Sequence, residues 1–224
     1  MTLIDALDEA LNKRRDEDKA LKTGDVRRIA RNLHRRFYDV PKNDLFEQCE
    51  TLLEKNAFAP TIVAYDLVYR RRKSFVASDF DRFETWVYEY TTSWGDVDDF
   101  GTHALGHALM MFPEKFVRLL SWVRSERYTV RRMAAVALIP AIRKNHLEDF
   151  SPFRIADGLM NDAHYLVQKG YGWMLKELSV QLPRRVEDYL RNNVPRMPRT
   201  AFRYALEKFP EETKDALMAL PYKS

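Results

Sequence analysis

The chain has 224 residues, 46% hydrophobic and 31% charged, enough for one packed core or a short row of repeats. Only seven glycines in that length argue against a fold rich in tight β-turns and against a glycine-rich phosphate loop. The net charge of +4 is unevenly spread: residues 101–224 hold 20 Lys+Arg against 13 Asp+Glu, residues 1–100 hold 17 against 20, and a basic second half suits a polyanionic partner.

No run of about 18 apolar residues occurs, so no membrane-spanning helix is expected. The first ten residues are amphipathic and acidic, unlike a secretory signal. A single cysteine, Cys49, excludes a disulfide framework and suits a reducing cytosol, where its simplest role is that of a small buried hydrophobe.

Helical periodicity runs nearly end to end. Leu3, Leu7 and Leu11 make one stripe over residues 2–14, and a charged segment follows from Lys13 to Lys22. Thr23 or Asp25 is placed to cap a helix that carries Val26, Ile29, Leu33 and Phe37 on one face. Its other face carries Arg27, Arg28, Arg31, Arg35 and Arg36, a pattern whose simplest reading is a solvated face, with a phosphate-contacting one as the alternative. After Pro41 and Asn43, Leu45 to Lys55 reads as a helix, and Pro60 opens another through Val63, Leu67 and Val68. The run Arg70-Arg71-Arg72-Lys73 then sits where cations complement a helix C-terminus. Ser78 begins a helix with Phe80, Phe83, Val87 and Tyr90 inward.

Trp94 follows at the mouth of the next helix, with Asp98 four residues on, so ring and carboxylate point the same way. Beyond Pro113 the helices are expected over Phe116–Val123, Val130–Ile142, Phe153–Met160, Tyr165–Leu178, Val186–Leu190 and Thr200–Phe209. Tyr128 to Leu138 aligns with Tyr165 to Leu175 at an offset of 37, placing Arg132 on Lys169 and Ala135 on Gly172. A two-helix unit of that period is close to the HEAT class of α-solenoids. The predicted architecture is therefore all-α: one solenoid domain over residues 1–224, with a concave basic face carrying Arg132, Lys169 and Trp173. Ala134, Ala135, Gly170 and Gly172 leave room for close helix approach.

Two other clusters invite a chemical reading. His103 and His107 are four apart with Asp99 a turn earlier, but residue 104 is Ala where a zincin has its Glu, and no third ligand is evident, so no metal is expected. Asp96, Asp98 and Asp99 lack an EF-hand loop and suit a helix N-terminus. Of the four tryptophans, Trp86 and Trp122 fall in apolar stripes and belong to the core, whereas Trp94 and Trp173 suit a cleft.

Three motifs in register, Ser93-Trp94-Gly95-Asp96-Val97-Asp98, Val130-Arg131-Arg132-Met133 and Val167-Gln168-Lys169-Gly170-Tyr171-Gly172-Trp173, resemble the AlkD family of DNA alkylation-repair glycosylases over roughly residues 20–210. The resemblance implies a HEAT-like solenoid that removes N3- and N7-alkylated purines from duplex DNA without extruding the base, acting as a cytoplasmic monomer with no cofactor. It implies that Trp94 and Trp173 flank the lesion, that Asp98 is the catalytic carboxylate, and that Arg132 grips a phosphate. Arg131, Tyr165, Lys169 and Lys176 fall at neighbouring DNA-facing positions. The sequence departs from the family at Ser93, where a second Trp is frequent, and in Arg36 to Asp44, a loose match to the family's N-terminal DNA-contacting loop. Two rivals remain at this level: a non-catalytic DNA-structure or protein-binding scaffold of the same architecture, and a protein-interaction module without nucleic acid.

Overall fold

Apolar stripes at helical spacing have one economical solution, which is to lay each helix against the next. A computed structural model describes residues 1–15 and 20–222, so the middle of the charged segment lies outside the described residues. Among the described residues there is no strand, and no helix is long and apolar enough to cross a membrane. By contacts the chain divides into two compact units, Met1–Arg82 and Phe83–Ser224.

The first unit contains α1 (Leu3–Arg15), α2 (Thr23–Arg36), α3 (Lys42–Leu53) and α4 (Phe58–Arg70). Helix α4 is its centre: α2 and α3 both pack on it, and Val63, Ala64, Leu67 and Val68 are fully buried. The expected α2 stripe is buried at Val26, Leu33 and Phe37, while Ile29 lies part-exposed. Lys22, rather than Thr23 or Asp25, occupies the N-cap of α2, and the Asp25 carboxylate reaches back to accept from its backbone N–H at 3.2 Å. The basic run ending α4 serves a neighbour as well as its own helix, because Arg71 donates to the carbonyls of Phe37, Tyr38 and Val40 just beyond α2. Cys49 is fully buried, and burial pushes its thiol up, as an inert core residue requires.

Helix α5 (Ala77–Glu89) begins in the first unit and continues into the second. The second unit contains α6 (Trp94–Phe100), α7 (Gly106–Met111), α8 (Phe116–Trp122), α9 (Tyr128–Val136), α10 (Ile139–Arg143), α11 (Pro152–Leu159), α12 (Tyr165–Gln181), α13 (Pro183–Asn193), α14 (Arg199–Leu206) and α15 (Glu211–Met218). Helix α12 is central and packs against α9, α10, α11, α13 and α14. The helix expected over Val130–Ile142 is two helices, since Pro140 lacks the amide hydrogen needed to continue α9 unbroken. A π-helical turn, Gly101–Leu105, joins α6 to α7 and was not foreseen. A Cβ on Gly106 would meet the Gly101 carbonyl at 2.5 Å and the Ala137 carbonyl at 2.8 Å, so this wide turn is fitted tightly against its neighbours.

The repeat is visible in the side-chain bonds of the second unit. Tyr128 and Tyr165, 37 apart, each open their helix. Trp122 bonds Glu84 at a separation of 38, Arg132 bonds Asp98 at 34, Arg143 bonds Glu177 at 34 and Lys208 bonds Glu177 at 31. Each link thus joins one helical hairpin to the next, as a stacked repeat demands. Trp86 and Trp122 are core residues, and Trp86 packs with Phe83 and Phe100 at centroid distances of 5.4 and 5.9 Å.

Helices α12 and α14 also approach closely: a Cβ on Gly172 would lie 2.7 Å from the Ala201 carbonyl oxygen and 2.8 Å from Tyr204 Cβ. Helix propensity alone favours Ala over Gly by about 1 kcal/mol, whereas overpacking costs about 1–3 kcal/mol. Gly172→Ala should therefore lower the urea midpoint of unfolding; a raised midpoint would show that α14 yields without cost.

Candidate functional site

Helix α6 presents two faces because its sequence does. Val97 and Phe100 are fully buried, and Phe100 packs on Phe83 at 5.6 Å. The opposite face carries Trp94, 56% exposed, and Asp98, whose side chain keeps 22% of its surface. The helix start is fixed by a capping box. Ser93 Oγ accepts from the Asp96 N–H at 3.3 Å, and the Asp96 carboxylate accepts from the Ser93 N–H at 2.8 Å and the Thr92 N–H at 3.0 Å. Ser93 thereby fixes where Trp94 leaves the backbone.

Asp98 meets Arg132 of α9 in a two-pronged ion pair. Arg132 Nε donates to Oδ1 and Nη2 to Oδ2, both at 2.9 Å. The Arg132 side chain is buried, only 5% of the residue being exposed, and its Nη1 donates to the Leu166 carbonyl of α12. The family resemblance implies a phosphate for this arginine; in the structure its guanidinium meets the Asp98 carboxylate and the Leu166 carbonyl. Burial pushes the Asp98 carboxyl above the ordinary aspartate range, and the Arg132 guanidinium pulls against that shift without cancelling it. Room for the guanidinium comes from Gly170, where a Cβ would stand 3.0 Å from Arg132 Cγ and 3.2 Å from Nη1.

These groups open onto a groove of about 470 Å³, lined by Trp94, Asp98, Arg132, Tyr165, Leu166, Lys169, Trp173, Lys176 and Tyr204. Residues from α6, α9, α12 and α14, far apart in sequence, are brought together there. Tyr165 is 57% exposed and stacks on His164, which itself stacks on Tyr128 at 4.1 Å. Lys169 Nζ lies 5.4 Å from the Tyr165 ring centre and 5.7 Å from that of Tyr204. Lys176 is paired with Glu207. Trp173 donates its indole N–H to Glu177 Oε1 at 3.0 Å. Burial alone would raise the Glu177 carboxyl, but bonds from Arg143, Lys208 and Trp173 outweigh it and bring it down to about 2.

Arg131 stands apart from the groove. Its guanidinium bonds Asp162 and the carbonyls of Ser125 and Glu126, which ties the loop before α9 to the segment before α12. His103, in the π-turn, has its Nδ1 2.8 Å from the Asp99 carbonyl oxygen and 3.2 Å from the Asp99 carboxylate. No group of three or more metal-ligating side chains occurs among the described residues.

A family described as "DNA alkylation repair enzyme" matches residues 10–209. The chain belongs to the DNA alkylation repair enzyme family. Among solved structures, a predicted DNA alkylation repair enzyme from Enterococcus faecalis superposes with a TM-score of 0.73 at 17% identity, covering 85% of this chain and 87% of that one. No curated protein matches the sequence. At that identity the likeness speaks for the shared all-helical repeat fold alone.

Within this family member, sequence reading missed Tyr204, Leu166, Glu177 and the spatial role of Gly170. Glu177 carried a signal, standing four residues after Trp173 on one helix face. Tyr204 carried none, because only the packing of α14 on α12 brings it near Lys169. Gly170→Ala should displace the guanidinium by a few tenths of an ångström. The change is expected as a shifted Arg132 Nε–H resonance and a further rise in the Asp98 titration midpoint by carboxyl NMR; both unchanged would mean that the glycine gives Arg132 nothing.

Proposed function

We propose that this groove is the active site of a DNA glycosylase that hydrolyses the N-glycosidic bond of cationic N3- and N7-alkylated purines in duplex DNA. The observation that carries the reading is Asp98: a partly desolvated carboxylate in a groove whose walls include two indoles, Trp94 and Trp173.

An alkylated purine with a positive ring is already a good leaving group, so the reaction needs no strong general acid. Water oxygen bonds to C1′, the glycosidic bond breaks, and its electron pair passes to the purine nitrogen, neutralising the base. The water proton leaves through Asp98 to solvent. An oxocarbenium-like sugar forms along the way, and a nearby carboxylate stabilises it. Arg132 uses one acceptor position on each Asp98 oxygen, and a carboxylate has about four such positions, so a water can still be oriented. Arg132 thus acts as the holder of Asp98, and the phosphate contact passes to Lys169, flanked by two tyrosine rings and without a carboxylate partner among the described residues.

Indole faces favour a cation by about 0.5–2 kcal/mol each, so Trp94 and Trp173 would both locate the lesion and stabilise charge on the sugar. Because the lesion supplies its own charge, the base need not be extruded into a pocket, and neutral lesions are poor substrates. One chain carries every groove residue, so a monomer suffices.

The occupied state of Asp98 also favours a second reading, a DNA-binding scaffold that performs no chemistry. Release of free base separates the two. From methylated duplex DNA the wild-type protein should release 7-methylguanine, and it should release no uracil from uracil-containing duplex. Asp98→Asn should retain DNA binding while release falls by a factor on the order of 10²–10³. Equal release by both proteins removes Asp98 from the reaction, and no release by either favours the scaffold.

A further inference from the structure

We infer that Glu177 is the positioning residue for Trp173, fixing its indole in the groove wall; the inference rests on the glycosylase reading of that groove. Trp173 and Glu177 are one helical turn apart on α12, and the indole N–H donates to Glu177 Oε1 at 3.0 Å. The same carboxylate accepts from Arg143 Nη2 of α10 at 3.1 Å and from Lys208 Nζ, just beyond α14, at 2.7 Å. The Arg143 guanidinium carbon also stands 5.6 Å from the Trp173 ring centre.

Glu177 is only 5% exposed, and a buried carboxylate is costly unless its lone pairs are met. Three donors meet them here. Two of the three do not need it, since the side chains of Arg143 and Lys208 keep 50% and 39% of their surface and can turn to water. The indole has a single donor, and pinning that N–H fixes the edge of the ring and therefore the direction of its faces. Hydrogen bonding to an anion also pushes electron density into the ring, which strengthens its attraction for a cation. Glu177 is half of a unit whose other half is the indole, whereas a plain interhelical tie would treat Trp173 as incidental.

The test uses the full chain and follows two quantities: the Trp173 indole Nε1–H resonance, and single-turnover release of 7-methylguanine beside affinity for unmodified duplex. In the wild type the resonance should lie downfield of the free-indole position. Glu177→Leu should move it there and slow release about tenfold, the scale of a small misplacement of a reacting group, while duplex affinity changes less than twofold. Glu177→Gln keeps an acceptor and should recover most of both. Lys208→Gln, which removes an ion pair and leaves the indole bond, should leave the resonance in place. Combined with Trp173→Phe, Glu177→Leu should cause no further loss.

Multiplying losses in the double variant, or a resonance that moves without any change in release, would reduce Glu177 to an ordinary tie and overturn the inference. If Glu177→Leu does not fold, a wild-type resonance at the free-indole position overturns it equally. Absence of base release by the wild type would sink the glycosylase reading alone, and the positioning claim would then stand or fall on the resonance.

Discussion

The Asp98–Arg132 pair is the constraint around which the second unit is arranged. A carboxylate drawn partly out of water is unstable alone, and a buried guanidinium is worse; together they form a fork whose two prongs are both 2.9 Å long. Removing either partner of such a pair typically costs about 3–5 kcal/mol, because the survivor is left uncompensated. The surroundings serve this geometry. Gly170 leaves space for the arginine stem, the Leu166 carbonyl takes its third bond, and the Ser93–Asp96 box fixes the helix on which Asp98 stands. The pair, with the Leu166 carbonyl, also links three helices far apart in the chain, α6, α9 and α12, so the site and the stacking share these contacts.

Under the proposed glycosylase reading, that arrangement lets one groove combine attraction and reactivity. Lys169 brings positive charge to its wall, suited to a phosphate backbone, and lies between Tyr165 and Tyr204, whereas Lys176 is paired with Glu207. Trp94 and Trp173 offer aromatic faces, suited to a cationic base. Asp98 lies between these chemistries, held short of full neutralisation because burial opposes the arginine. A fully solvated aspartate at this position would be a weaker electrostatic partner for a developing sugar cation, since water would screen it.

Much of this could be read from residues alone, and the failures have particular causes. The stripe Val26, Leu33 and Phe37, the four-residue step from Trp94 to Asp98, and the offset of Tyr128 and Tyr165 are local or periodic signals, and the backbone follows them. Arg132 was legible as a groove residue, but its pairing with Asp98 was not. Two adjacent arginines look alike in sequence, yet they point about 100° apart on a helix, one to Asp98 and the other to Asp162. The π-turn at Gly101–Leu105 leaves no mark in the apolar spacing; Gly106, which follows it, sits tightly against the Ala137 carbonyl. Helix α15 was overlooked as a short amphipathic segment with Leu217 as its one fully buried hydrophobe. Ser93, a departure from the family pattern, makes the N-cap of α6.

In the proposed reaction the charged form of a partly desolvated Asp98 drives bond cleavage, and the pH dependence of single-turnover 7-methylguanine release tests this most directly. Only the carboxylate can act, so release should fall as pH drops through the Asp98 pKa, with a midpoint above the ordinary aspartate value of 3.8. The residual release of Asp98→Asn should lack that acid limb. An acid limb that persists unchanged in Asp98→Asn would place the reacting charge elsewhere and contradict the account.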